Sequence, residues 1–191
     1  MNNFLVPLSF YVVFTSKKST VVFLKNIFQY IKIEKGPRMI KLSFESQLSV
    51  EKKVLIEHAF SMRGVNAELF PWMRLTYPKG PDALKENIKP PGRFLFKSWF
   101  LFLCFIPIDY NSFFFKFISQ EGHFHESSSS LTHKNWCHIR KISVSEGGSL
   151  LQDELEITPR VKMLSPLIRF FAQRLFLHRH NILRKKFNKA F

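Results

Sequence analysis

The sequence predicts an α+β domain in which a curved antiparallel β-sheet wraps around a long C-terminal α-helix. Three observations carry this reading. A strand-like segment followed by two helical segments opens the orderly part of the chain at Met39. Strand signals separated by turn residues then fill residues 93–158. One amphipathic segment, 165–191, closes the chain. At ~1.5 Å rise per residue such a helix runs roughly 35–40 Å, long enough to cross a small sheet.

The elements follow in order. In MIKLSFESQLS, Ile40, Leu42, Phe44 and Ser46 alternate with Lys41, Ser43, Glu45 and Gln47, the pattern of a strand with one buried face. VEKKVLIEHAFSM (50–62) carries Val50, Val54, Leu55, His58 and Met62 at helical spacing, with Ser49 as N-cap and Gly64 as stop. A short second helix ends at Pro71, and a Pro/Gly-rich loop runs to Gly92. Strands are predicted at 93–105, 112–119, 123–130, 135–144 and 149–158. Pro107, Asp109 and Asn111 punctuate the first two, and SEGG (145–148) turns the last pair into a hairpin. In the final helix Leu164, Ile168, Phe171, Leu175, His178 and Ile182 form the apolar stripe. Arg169, Arg174, Arg179, Arg184, Lys185, Lys186 and Lys189 form its basic face, with no acidic residue from Val161 onward.

Residues 1–38 differ from the rest. The apolar run 4–14 has no basic residue before it and no small-residue cleavage site after it, so it is a poor signal peptide, and it is too short to span a bilayer. The reading adopted is a domain starting at Met39 behind a mispredicted N-terminal extension. The alternative is an interfacial membrane anchor, since the segment carries a net charge of +5.

With 191 residues and 46% hydrophobic composition the chain is too apolar for disorder and long enough for one sizeable core. Its net charge of +15 points to an anionic partner. An acidic membrane surface ranks above nucleic acid, because no zinc-finger, RNP or helix-turn-helix pattern appears. Cys104 and Cys137 read as two buried thiols in a reducing, cytoplasmic setting.

The order strand–helix–helix–strands–long helix resembles the helix-grip fold of the START-like, polyketide cyclase/dehydrase-like (SRPBCC) superfamily. FESQLSVEKKVLIEHAF is similar to its opening strand and first helix, and NAELFPWMRLTYP to its short second helix and loop. FHESSSSLTHKNWCHIRKI, LLQDELEI and LFLHRHNILRKKF resemble the paired strands and closing helix of its uncharacterised ligand-binding branch. The resemblance covers about residues 39–190. It implies a deep, mostly apolar cavity between sheet and last helix, used by relatives for lipids, quinones, sterols or polyketides. It implies no particular reaction.

The stretch NWCHIRKI (135–142) raises the functional question. On a strand Trp136, His138 and Arg140 share one face, and the SEGG turn would set Arg140 across from Asp153 and His138 opposite Leu155. Asp153 lies among Leu151, Leu155 and Ile157, so that face is inward, and an inward Asp requires its Arg. The resemblance also turns Glu126 inward. The expected cavity wall therefore carries a polar constellation of Glu126, His138, Arg140 and Asp153. It either holds the strands in register or anchors the polar head of a greasy ligand. The expected lining is Trp72, Trp136, Leu155 and Ile157 on the sheet side, with Leu164, Ile168, Phe171 and Leu175 on the helix side. The leading function is binding or carriage of a hydrophobic small molecule. One alternative is a cyclase/dehydrase-type enzyme with His138 or Glu126 as general base and Arg140 stabilising an oxyanion. Another is an interaction protein on an anionic membrane surface, held by the basic final helix. No cofactor or metal is expected: His123 and His125 lack a third ligand at sensible spacing, SSSS lacks a nucleophile elbow, and the cysteines lack a C-x-x-C arrangement.

Overall fold

The computed structural model describes residues 39–78, 93–119 and 121–188. The N-terminal extension, the loop at 79–92 and Lys189 lie outside the described residues. Among the described residues, seven strands form one antiparallel sheet. They are β1 (Ile40–Leu48), β2 (Met73–Leu75), β3 (Arg93–Phe102), β4 (Ile106–Ser119), β5 (His123–Ser128), β6 (His133–Ser145) and β7 (Gly148–Pro159), in the spatial order β1-β7-β6-β5-β4-β3-β2. Helices α1 (Lys52–Ala59) and α2 (Met62–Leu69) carry the chain from one edge strand to the other, and α3 (Ser165–Phe187) packs into the curled sheet. The expected α+β architecture is present. No described helix is long and apolar enough to cross a membrane.

The alternation in β1 places Ile40, Ser46 and Leu48 in the interior, with Leu42 and Phe44 half-buried on the same face. The β6–β7 hairpin has the expected register, Arg140 opposite Asp153 and His138 opposite Leu155. Gly147 turns it with φ of 77°, a backbone region that suits glycine.

Four local expectations are corrected. Residues 50–62 are not one helix: Ser61 ends α1 and starts α2, because its Oγ donates to the His58 carbonyl (3.0 Å) and accepts from Gly64 N–H (2.9 Å). Gly64 therefore lies inside α2. A β-carbon there would sit 1.9 Å from the His58 carbonyl oxygen, so the glycine allows close helix approach rather than stopping a helix. Cys104 lies in a turn instead of a strand, with Leu103 and Cys104 at φ of 49° and 71°. Pro107, Asp109 and Asn111 do not break the sheet but belong to β4. Pro107 pairs where the ladder with β3 slips register, so its missing N–H costs little, and the two polar side chains are buried.

The fourth correction concerns the phase of α3. Its buried residues are Ser165, Ala172, Phe176, Arg179, His180 and Leu183. Leu164 and Phe171 are exposed, and Ile168 and Leu175 are half-buried. The expected stripe is thus off by about one residue, ~100° around the helix. Hydrophobic periodicity discounts Arg179 and His180, yet buried carboxylates on α2 and β7 draw both into the core.

Candidate functional site

At the centre of the grip stands a buried ionic cluster. Arg140 holds Asp153 in a two-pronged pair, Nε to Oδ1 and Nη2 to Oδ2, both 2.7 Å. The Asp153 oxygens also accept from His138 Nε2 and His180 Nε2, each at 3.0 Å. The remaining face of Arg140 meets Glu68 of α2 at 3.3 Å, and Glu68 Oε2 accepts from Arg179 Nε (2.9 Å) and Nη2 (2.7 Å). Two guanidiniums thus balance two carboxylates, which is what makes burial of this much charge tolerable. Burial opposes ionisation of Glu68, but Arg140 and Arg179 hold its pKa at about 2. Burial likewise opposes charge on Asp153, and Arg140 and His138 keep its pKa well below the usual carboxylate range. The cluster extends outward through Ser46, whose Oγ is 2.8 Å from His180 Nδ1 and accepts from Arg184 at 2.8 Å.

A second polar cluster lies on β4, the β5–β6 turn and the start of β6. Ser130 Oγ and Thr132 Oγ1 both donate to Asp109 Oδ2, at 2.7 and 2.6 Å. The other Asp109 oxygen accepts the backbone N–H groups of Tyr110 (2.8 Å) and Leu131 (2.9 Å). His133 Nδ1 sits 2.8 Å from Ser130 Oγ and 3.1 Å from Thr132 Oγ1. Each hydroxyl has one proton, and both are directed at Asp109, so His133 Nδ1–H must be the donor. Burial, reinforced by Arg160 and opposed by Asp109 and Glu126, lowers the His133 pKa. The imidazole is then neutral with a bare lone pair on Nε2. That atom is buried and, among the described residues, has no hydrogen-bond partner; neither has the buried Asn111 Oδ1.

The predicted residues divide among these surroundings. Arg140, Asp153 and His138 meet in the ionic cluster. Glu126 reaches His138 (Oε2 to Nδ1, 3.7 Å) while its Oε1 accepts from Ser128 Oγ at 2.6 Å. Leu155 and Ile157 are buried, and Trp136, like Ile168, packs against the cluster of Ile40, Ile157 and Ala172, with its ring 5.4 Å from His133. Trp72 is 51% exposed on the turn after α2, and Phe171 is 57% exposed on α3. His178 Nε2–H donates to the Phe70 carbonyl (2.8 Å), which ties α3 to that turn. His125 Nε2 lies 3.0 Å from Cys137 Sγ, on the sheet face opposite His133.

Sequence reasoning missed Glu68, Arg179, His180, Asp109, Asn111, Ser130 and the role of His133. Glu68 left one signal, an acid beside Leu69 on the buried face of a short helix.

Residues 46–187 match the model of the family described as Domain of unknown function (DUF8410). No curated protein matches the chain. Among solved structures it is similar to the Zhui aromatase/cyclase from Streptomyces sp. R1128, with TM-score 0.59, 5% identity, and 78% of this chain and 93% of that chain covered. It is similar to a START superfamily protein from Mycobacterium smegmatis (TM-score 0.54, 8% identity, 79% and 97% covered). Ara h 8.0201 gives TM-score 0.51 at 12% identity, with 78% and 99% covered. At these identities the likeness is one of fold, and that fold is the START-like helix grip.

Proposed function

The chain belongs to the DUF8410 family, and we propose that it binds a hydrophobic small molecule, of lipid, quinone or polyketide-like character, between the sheet and the N-terminal half of α3. The observation that carries this reading is the unused apolar stripe of α3. Leu164 just before the helix and Leu167 and Phe171 on it are exposed although the helix already buries a different face, and Phe70 and Trp72 stand exposed on the turn that His178 ties to the same helix. An exposed apolar surface of this kind suits a greasy ligand. The kinship in fold with a START protein and an aromatase/cyclase supports the same classes. In this reading Arg140, Asp153, Glu68 and Arg179 hold α2, the sheet and α3 together and leave the ligand to their neighbours.

The test is titration with an environment-sensitive C12 fatty-acid probe. Phe171→Glu should weaken binding at least about tenfold, since a contact between apolar groups is replaced by a buried charge. Leu177→Glu, an exposed position on another side of α3, should leave binding unchanged. Equal affinity in both variants would refute the assignment.

A second reading, contact with an anionic membrane surface, has its own observation. The turn 103–105 is joined to the turn 70–72 by Leu103 N–H donating to the Trp72 carbonyl (2.7 Å), and together with the start of β4 they expose Phe70, Trp72, Leu103, Phe105 and Ile106. Phe105 is 71% exposed next to two non-glycine residues at positive φ, a strained arrangement that displays apolar side chains. The +15 net charge matches an acidic lipid surface. The expected result is binding to phosphatidylglycerol-containing vesicles, release by moderate salt, and loss in Phe105→Asp. Equal binding to neutral vesicles would remove the electrostatic account. Arg184 and Lys186 are poor probes of it, because one holds Ser46 and the other donates to His58 Nδ1 at 3.0 Å.

A further inference from the structure

We infer that His133 Nε2 and Asn111 Oδ1 form a polar subsite that recognises a hydrogen-bond-donating head group, a hydroxyl or an ammonium, on the bound molecule. The inference rests on the apolar-ligand reading above and specifies which end of the molecule is read, and by what.

The two atoms share one neighbourhood. The Ser112–Ser129 bridge sets Asn111 across from Ser130 in antiparallel register, and Ser130 Oγ contacts His133 Nδ1. Asn111 is 1% and His133 5% exposed, so both side chains are shut off from bulk solvent. Both orphan atoms are acceptors: the Asn111 oxygen by its chemistry, and His133 Nε2 because Nδ1 carries the proton. A buried acceptor without a donor is costly, and native interiors rarely leave one so. Two on paired segments of the same sheet call for a donor.

The rest of the neighbourhood fits that demand. Asp109 fixes the tautomer by consuming both hydroxyl protons, which keeps the Nε2 lone pair open. Nε2 points away from the Ser130 side, and the ring lies tilted 5.4 Å from that of Trp136, which packs against the cluster of Ile40, Ile157 and, on α3, Ala172. The subsite therefore lies beneath the half of α3 that carries the unused apolar stripe. Glu126 lies close enough to influence His133 electrostatically, and its carboxylate adds a further preference for donors over acceptors. A head group that only accepts, such as an ether or an ester carbonyl, would face like lone pairs.

The experiment uses three probes with the same tail: decan-1-ol, decylamine and decyl methyl ether, with dissociation constants measured by calorimetry on the full chain. The alcohol or the amine should bind about tenfold more tightly than the ether. Which of the two is preferred distinguishes a hydroxyl from an ammonium head. His133→Asn keeps a donor where Nδ1 was and removes Nε2, so it should reduce that preference to within about twofold while ether affinity stays unchanged. His133→Gln places an oxygen near the Nε2 position and should retain the preference. Asn111→Leu removes the second acceptor without stranding a partner, so it should fold well and also lower the preference. Equal binding of all three probes overturns the inference but leaves the apolar-ligand reading standing. Failure of every probe to bind overturns both. A preference that survives in His133→Asn and in Asn111→Leu overturns the subsite alone.

Discussion

Arg140→Ala and Asp153→Ala should each cost on the order of 3–5 kcal/mol of folding stability, and the double variant should cost much less than the sum. The reason is the charge balance of the central cluster. Without Arg140, Asp153 keeps only the two imidazoles as donors and the cluster is left with an excess negative charge. Without Asp153, Arg140 keeps its 3.3 Å contacts to Glu68 but is one carboxylate short. Removing both leaves Glu68 with Arg179, a matched pair at 2.7 Å. Urea unfolding with unchanged m-values would measure this coupling directly. Two neutral single variants would show that the cluster does not hold the grip together. His138→Ala supplies a further discrimination. If its only task is to donate to Asp153, it should lower stability and leave probe affinity in the folded protein intact.

The parts of the fold that were legible in the sequence are those where each side chain obeys its local pattern. The β6–β7 hairpin is the best case: alternation, a Gly-Gly turn and an inward Asp that needs an inward Arg fix the register to the residue. The phase of α3 was illegible for the opposite reason. Arg179 and His180 look like solvent-facing residues, and only the distant Glu68 and Asp153 turn them inward. The second polar cluster was hidden more thoroughly. Asp109 and Asn111 have the composition of a turn, and Ser130 sits in a low-complexity run. Nothing local announces that β4 carries its polar residues through the interior. A site assembled from side chains far apart in sequence, each unremarkable in its own segment, leaves no periodic trace.

Glu68 is where the missing information has its largest energetic consequence. It accepts from Arg179 and Arg140 at once, so Glu68→Ala strands Arg179, leaves Arg140 with Asp153 alone, and should destabilise by about the 3–5 kcal/mol expected of a broken buried pair. Glu68→Gln keeps an acceptor oxygen of similar shape and loses the charge, so it should fall between alanine and wild type. The pH dependence separates charge from packing. A carboxylate whose pKa falls from 4.5 when free to about 2 when folded contributes about 3 kcal/mol. Because the folded pKa is the lower one, that contribution is complete above pH ~4.5 and is lost as pH falls toward 2. Asp153, also depressed, adds to the loss in the same direction. His58 and His133 act earlier. Burial lowers both below 6.5, opposed at His58 by Glu68 and reinforced there by Lys186, Arg140 and Arg179, so stability already declines as pH drops through the histidine range. Wild-type stability measured from pH 7 to 2 should therefore fall in two stages. Glu68→Gln should start lower, deepen the first stage because His58 loses the negative charge that favours its protonation, and flatten the second, leaving the Asp153 part. A second stage of undiminished slope in Glu68→Gln would mean that Glu68 is not held ionised by its arginines, and the account of the cluster as a balanced ionic clasp would fail.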